Sequence, residues 1–155
     1  RQSDGCGRDR CGGEPDSVTC GNGTEALQLA LMEDGIGPGD AVFVPGFSFT
    51  ATAEAVLVLG ARPVFCDIDP ATFNLDPESL KDAVDRVRKE GKLIPRAVIS
   101  VDLFGLPGDY ARRVPYCDQA GWWLIADSAQ AFGAAQGHRK VGVRALFLRH
   151  VRRCR

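Results

Sequence analysis

The chain has 155 residues, 45% of them hydrophobic and 25% charged, with a formal net charge of −1. That length holds one domain with a real core and is too short for two comfortable ones. The composition is ordinary for a soluble globular protein, and no apolar run approaches the ~18 residues of a membrane span.

The first 15 residues, RQSDGCGRDRCGGEP, carry no apolar periodicity and read as loop or disorder. They are charged and Gly-rich rather than a signal peptide, so the expected setting is the cytoplasm. Regular structure begins at Ser17. A short apolar strand, Ser17–Cys20, runs into Gly21-Asn22-Gly23-Thr24, and a helix follows with Ala26, Leu27, Leu29, Ala30 and Leu31 on its apolar face. The helix ends at Gly35, and Gly37-Pro38-Gly39-Asp40 makes a turn.

Further strand–helix units follow. Ala41–Val44 reads as a buried strand and Thr50–Leu59 as a helix stopped by Gly60. Pro63–Cys66 is a strand, leading through a loop with Asp67, Asp69 and Pro70 into a charged helix, Pro77–Glu90, ended by Gly91. Ala97–Val101 is a strand, Asp109–Ala120 a helix ended by Gly121, and Trp122–Ala126 a strand. Strands with continuous apolar character that alternate with helices predict a three-layer α/β/α domain with a mainly parallel sheet. Ligands of such sheets bind outside the carboxyl ends of the strands.

The six cysteines (Cys6, Cys11, Cys20, Cys66, Cys117 and Cys154) form no C-x-x-C pair. They read as reduced thiols rather than a disulfide framework, with Cys20 and Cys66 as buried small hydrophobes at strand ends and no metal site. Charge is unevenly spread. Residues 139–155 hold seven Arg or Lys and no acid, which leaves 12 basic against 20 acidic residues elsewhere. A basic tail can mark a nucleic acid or an anionic membrane as partner.

Polar residues gather at the predicted strand ends. Gly21-x-Gly23-Thr24 opens a helix directly after a strand, where free N–H groups and the helix dipole favour a phosphate. The same residues would equally serve as a plain turn and cap, with Thr24 as the cap. The dinucleotide fingerprint is excluded, because no third glycine follows Gly23 at the required spacing. Asp127 ends the last strand and Gln130 lies three residues on. A carboxylate lodged among apolar neighbours needs a cationic partner, unless it simply caps the next turn. Phe47 and Phe49 flank Ser48, and either ring could stack on a flat ligand or pack into the core.

Taken in order, GNGTEALQLAL, GIGPGDAVFVPGFSFTATAEAV, GARPVFCDIDPATFNLDPESL, VDLFG and LIADSAQAFGA resemble the DegT/DnrJ/EryC1/StrS family of fold-type-I aminotransferases. The resemblance covers Ser17–Gly142 and leaves residues 1–16 and 143–155 unmatched. It implies pyridoxal 5′-phosphate as cofactor and a homodimer that moves an amino group, usually from glutamate, to a nucleotide-linked keto sugar. It implies further that Gly23, Thr24 and the backbone N–H of Glu25 hold the cofactor phosphate. Phe49 would stack on the pyridine ring, Asp127 would pair with the ring nitrogen and Gln130 would hydrogen-bond the ring hydroxyl. Asp102 stands where many members carry a His and receives no role.

The resemblance breaks after Lys140-Val141-Gly142, where family members continue into a strand that carries the Schiff-base lysine. Here VRALFLRHVRRCR follows, so no catalytic lysine is assigned and Lys140 is read as a loop residue. An arginine-rich ending without an acid is what a wrong reading frame of GC-rich DNA often gives, and a frameshift or truncation is the expectation for the tail. The family's sheet order, 3-2-4-5-6-7-1, would then leave the phosphate loop tethered mainly through its helix. The rival readings are a non-catalytic fragment, a protein that uses its basic tail on nucleic acid, and a dehydratase of the same family.

Overall fold

The computed structural model describes residues 20–136 and the pair Arg139–Lys140. In chain order its main elements are α1 (Gly23–Glu33), β1 (Asp40–Pro45), α2 (Ala51–Val58), β2 (Arg62–Cys66), α3 (Pro77–Glu90), β3 (Ile94–Val101), α4 (Tyr110–Ala120) and β4 (Trp123–Asp127). A short antiparallel pair, β5 (Ala135–Gln136) with β6 (Arg139–Lys140), follows. The strand expected at Ser17–Cys20 lies outside the described residues except for Cys20, as does the tail after residue 142.

The four longer strands form one parallel sheet in the order β2-β1-β3-β4. Side chains alternate across it, as a strand requires. Val42 and Val44 of β1, Ile99 and Val101 of β3 and Ile125 of β4 pack with Leu27 and Leu31 of α1 and Ala55 and Val56 of α2. On the other face, Phe43, Val98 and Leu124 pack with Leu80, Val84 and Val87 of α3 and Cys117 of α4. Both faces are therefore covered, and the central strand β1 is buried along its whole length. This is the three-layer α/β/α arrangement that the strand–helix alternation predicts.

Local chemistry sets the ends of the helices. Asp76 caps α3 by accepting from the N–H groups of Glu78 and Ser79, Pro77 occupies the first turn, and Gly91 stops the helix in the left-handed region (φ 65°). Asp109 caps α4 through the N–H of Arg112. At the far end of α1, Asp34 pairs with Arg96 near the start of β3, 3.6 Å apart. The N-terminus of α1 therefore points toward the opposite, C-terminal edge of the sheet.

Two cysteines behave differently from one another. Cys66 is buried at the end of β2, where loss of hydration pushes its thiol up to about 12. Cys20, expected to be buried as well, is exposed. It sits in the loop ahead of α1, where no described strand packs over it, and its Sγ lies 3.3 Å from the carbonyl oxygen of Asn22.

Candidate functional site

The unit β1–α2–β2 leads to one edge of the sheet and β3–α4–β4 to the other, so the chain reverses direction between β1 and β3. Open parallel sheets bind ligands beyond the carboxyl ends of the strands at such a reversal. The loop after β1 carries Phe47 and Phe49, the loop after β3 carries Asp102–Gly105, and β4 ends at Asp127 with Gln130 close behind. Gly23 and Thr24 open the helix whose N-terminus points to the same edge. The residues singled out in the sequence thus converge on one end of the sheet. A shallow cavity of about 340 Å³ opens at the other end, lined by Gly39, Leu57, Gly60, Ala61, Arg62 and Leu93, and none of those residues lies among the polar group at the strand ends.

At α1 the cap is Asn22 and not Thr24. Its Oδ1 accepts from the N–H of Glu25 at 2.9 Å, while the Glu25 carboxylate accepts from the Gly21 N–H at 2.8 Å. This is a reciprocal capping arrangement that secures the turn. It engages the Glu25 N–H, one of the three donors expected at a phosphate. The N–H groups of Gly23 and Thr24 have no hydrogen-bond partner among the described residues, as first-turn donors do. A Cβ placed on Gly23 would meet nothing within 4 Å, so the space beside these donors is open.

Phe49 is 74% exposed and free of ring partners among the described residues, whereas Phe47 packs against Phe73 and Phe104. Gln130 is exposed, and its Oε1 accepts from the Phe104 N–H at 2.7 Å, which leaves both Nε2 hydrogens free to donate.

Asp127 is half-buried at the end of β4. Its Oδ1 accepts from the Ala129 N–H at 3.2 Å, so it does cap the following turn. Among the described residues it forms no ion pair with Lys or Arg. Burial holds its proton affinity above the usual carboxylate range; the Ala129 N–H opposes the rise and the charge of Asp102 adds to it. A raised folded-state pKa means that the folded chain binds this proton more tightly than the unfolded chain does. Stability then falls as the pH rises above the ordinary value of 3.8, and the ionised group is a burden at neutral pH. Asp127→Asn is therefore expected to stabilise the fold at pH 7 and to lose that advantage below the ordinary carboxylate pKa. Urea unfolding at the two pH values checks this.

Sequence reasoning gave Asp102 no role, yet it organises this corner. It is fully buried at the end of β3, accepting from Gly108 N–H (2.8 Å) and the Tyr110 hydroxyl (2.6 Å) on Oδ1 and from the Ser128 hydroxyl (2.6 Å) on Oδ2. Its own N–H donates to the Asp127 carbonyl at 2.9 Å. Behind it lies Arg113, also buried, donating to the Ser100 hydroxyl and the Leu75 carbonyl, its pKa lowered by burial and supported by nearby negative groups. The one visible sequence signal was an acid directly after an apolar strand.

Among the described residues, an open helix N-terminus, an unstacked aromatic ring, a free amide donor and a half-buried carboxylate without a cation match the needs of a phosphorylated, protonated aromatic ring. The residues present therefore fit pyridoxal phosphate.

The chain is similar to known proteins. The DegT/DnrJ/EryC1/StrS aminotransferase family profile matches residues 10–147. The UDP-2-acetamido-2-deoxy-3-oxo-D-glucuronate aminotransferase of Pseudomonas aeruginosa is 45% identical over 118 residues, which are 76% of this chain and 31% of that enzyme. A crystal structure of a DegT DnrJ EryC1 StrS aminotransferase from Brucella abortus superposes with a TM-score of 0.72 at 52% identity, over 74% of this chain and 31% of that one. The structure of NtdA from Bacillus subtilis with bound cofactor PMP matches with a TM-score of 0.64 at 32% identity, over 72% and 24% of the two chains. The chain thus spans about a third of the length of the curated relatives it matches.

Proposed function

The chain belongs to the DegT/DnrJ/EryC1/StrS aminotransferase family, and on that premise we propose that it forms part of the cofactor-binding domain of an enzyme that aminates a nucleotide-linked keto sugar. Glutamate is the amino donor in this reading, and the complete enzyme is a cytoplasmic homodimer. The observation that carries it is Asp127, a half-buried carboxylate at a strand end that pairs with no cation among the described residues. The identity of 45% to an enzyme named for a UDP-linked 3-oxo sugar supports the substrate class.

When bound, pyridoxal phosphate would carry the amino group and supply the electron sink that stabilises negative charge on the reacting carbon. Asp127 would accept the N–H of the ring nitrogen and keep it protonated. Phe49 would lie against the ring face, and Gln130 would donate from Nε2 to the ring hydroxyl. Gly23 and Thr24 would donate their N–H groups to the phosphate, with Glu25 joining them when Asn22 turns away. No lysine is assigned to catalysis: Lys81, Lys89 and Lys92 are exposed on α3 and the turn after it, and Lys140 lies in β6. By itself the chain accordingly turns over no amino donor.

A segment exchange tests this reading. The 118 matched residues of the Pseudomonas aeruginosa enzyme are replaced by their counterparts from this chain. The chimera is expected to bind cofactor and transaminate. A folded chimera unable to hold the cofactor would contradict the proposal.

A further inference from the structure

We propose that Asp102 is a positioning residue, which fixes the Asp127 carboxylate through two separate links to residues 127 and 128; this rests on the cofactor-binding role proposed for Asp127. The first link is backbone: the Asp102 N–H donates to the Asp127 carbonyl at 2.9 Å, where β3 and β4 run in register as Val101 opposite Asp127. The second is the side chain, whose Oδ2 accepts from the Ser128 hydroxyl at 2.6 Å. Ser128 follows Asp127 directly and precedes Ala129, whose N–H is the hydrogen-bond donor to the Asp127 carboxylate. Holding Ser128 therefore holds the peptide that aims that donor. Oδ1 is anchored in turn by Gly108 N–H and the Tyr110 hydroxyl, so the clamp is fastened to the start of α4.

The position has an electrostatic side too. Three donors converge on a carboxylate with no exposed surface, so its oxygens are hydrogen-bonded as a buried polar group requires. A second negative charge beside Asp127 raises the affinity of that site for a proton or a cation. Among the described residues, the other titratable groups facing the pair are Tyr110 and Arg113, both from α4, with Asp109 acting on Arg113. Tyr110 is held neutral by burial and by Asp102 itself. Arg113 spends its terminal nitrogens on Ser100 and Leu75 and not on Asp127.

The test uses the full 155-residue chain without cofactor, so its outcome is separable from that of the proposed function. Carbon-detected NMR follows the Asp127 carboxyl through a pH titration, and amide exchange is read at Ala129. In Asp102→Asn the Asp127 midpoint is expected to move down, and Ala129 exchange to quicken. In Ser128→Ala, which removes one hydroxyl at a half-buried site and keeps the Asp102 charge, Ala129 exchange is expected to quicken while the amides of Val98 and Ile99 stay protected. An unchanged Asp127 midpoint in folded Asp102→Asn, or unchanged Ala129 exchange in Ser128→Ala, would overturn the proposal. Should Asp102→Asn fail to fold, the Ser128→Ala result decides.

Discussion

Asp127→Asn in the segment-exchange enzyme is expected to lower turnover by roughly 10²–10³-fold, about 3–4 kcal/mol of barrier, while leaving the fold at least as stable at neutral pH. The amide keeps the size of the carboxyl group and can still accept from the Ala129 N–H. It loses the negative charge that keeps a ring nitrogen protonated, and with it the strength of the electron sink. Activity and stability are thus expected to move in opposite directions, because a half-buried carboxylate with a raised proton affinity is retained for chemistry at a cost to folding. Turnover within a few-fold of the parent would show that Asp127 does not face the ring nitrogen.

A second large effect is expected in the core. Phe43 is fully buried in the central strand, and its ring stacks on Trp122 with centroids 5.7 Å apart. Phe43→Ala removes that contact and leaves a cavity beneath α3, a loss of about 3–5 kcal/mol. Against a total of about 5–15 kcal/mol for an ordinary domain, this lowers the urea midpoint steeply. Phe49→Ala serves as the contrast. Its ring is exposed and meets no other ring among the described residues, so the unfolding free energy is expected to stay within about 0.5 kcal/mol of the parent. Equal losses in the two variants would mean that the two rings have been assigned to the wrong environments.

The elements most legible in the sequence are those whose ends are written locally. The helix expected at Pro77–Glu90 has those bounds in the structure, because Asp76 and Pro77 start it and Gly91 stops it. Strand ends depend on partners that lie far away in sequence. The sequence pattern places the third described strand at Ala97–Val101, yet β3 begins at Ile94, since Ile94 and Pro95 lie opposite Asp40 and Ala41 of β1. Trp122 was read as the first residue of the last strand; it instead precedes β4 and turns its ring onto Phe43.

The same distinction applies to the site. Gly23, Thr24, Phe49, Asp127 and Gln130 could be marked from short motifs because each sits just beyond a strand or at the start of a helix. The cap of α1 was assigned to the wrong residue, since Thr24 and Asn22 are both good cap types and only the geometry separates them. Asp102 was passed over for a different reason. Its significance lies in Tyr110, eight residues away, and Ser128, twenty-six residues away, and only the parallel pairing of β3 with β4 brings all three together. Likewise, Phe73 and Phe104 adopt left-handed backbone (φ 60° and 56°) and meet edge to face at 5.7 Å beside Phe47, an aromatic cluster built from three separate loops.

The central claim is that the C-terminal edge of this sheet is a pyridoxal-phosphate site, and a titration of the chain with pyridoxamine 5′-phosphate tests it most directly. The amine form cannot attach to lysine, so any response reports the non-covalent site alone. Followed by NMR, the amides of Gly23 and Thr24, the Gln130 side-chain amide and the Asp127 carboxyl are expected to shift together with one midpoint. Pyridoxamine without phosphate is expected to leave Gly23 and Thr24 unmoved. Shifts confined to other surfaces, or none at these four residues at saturating ligand with the sheet intact, would contradict the account.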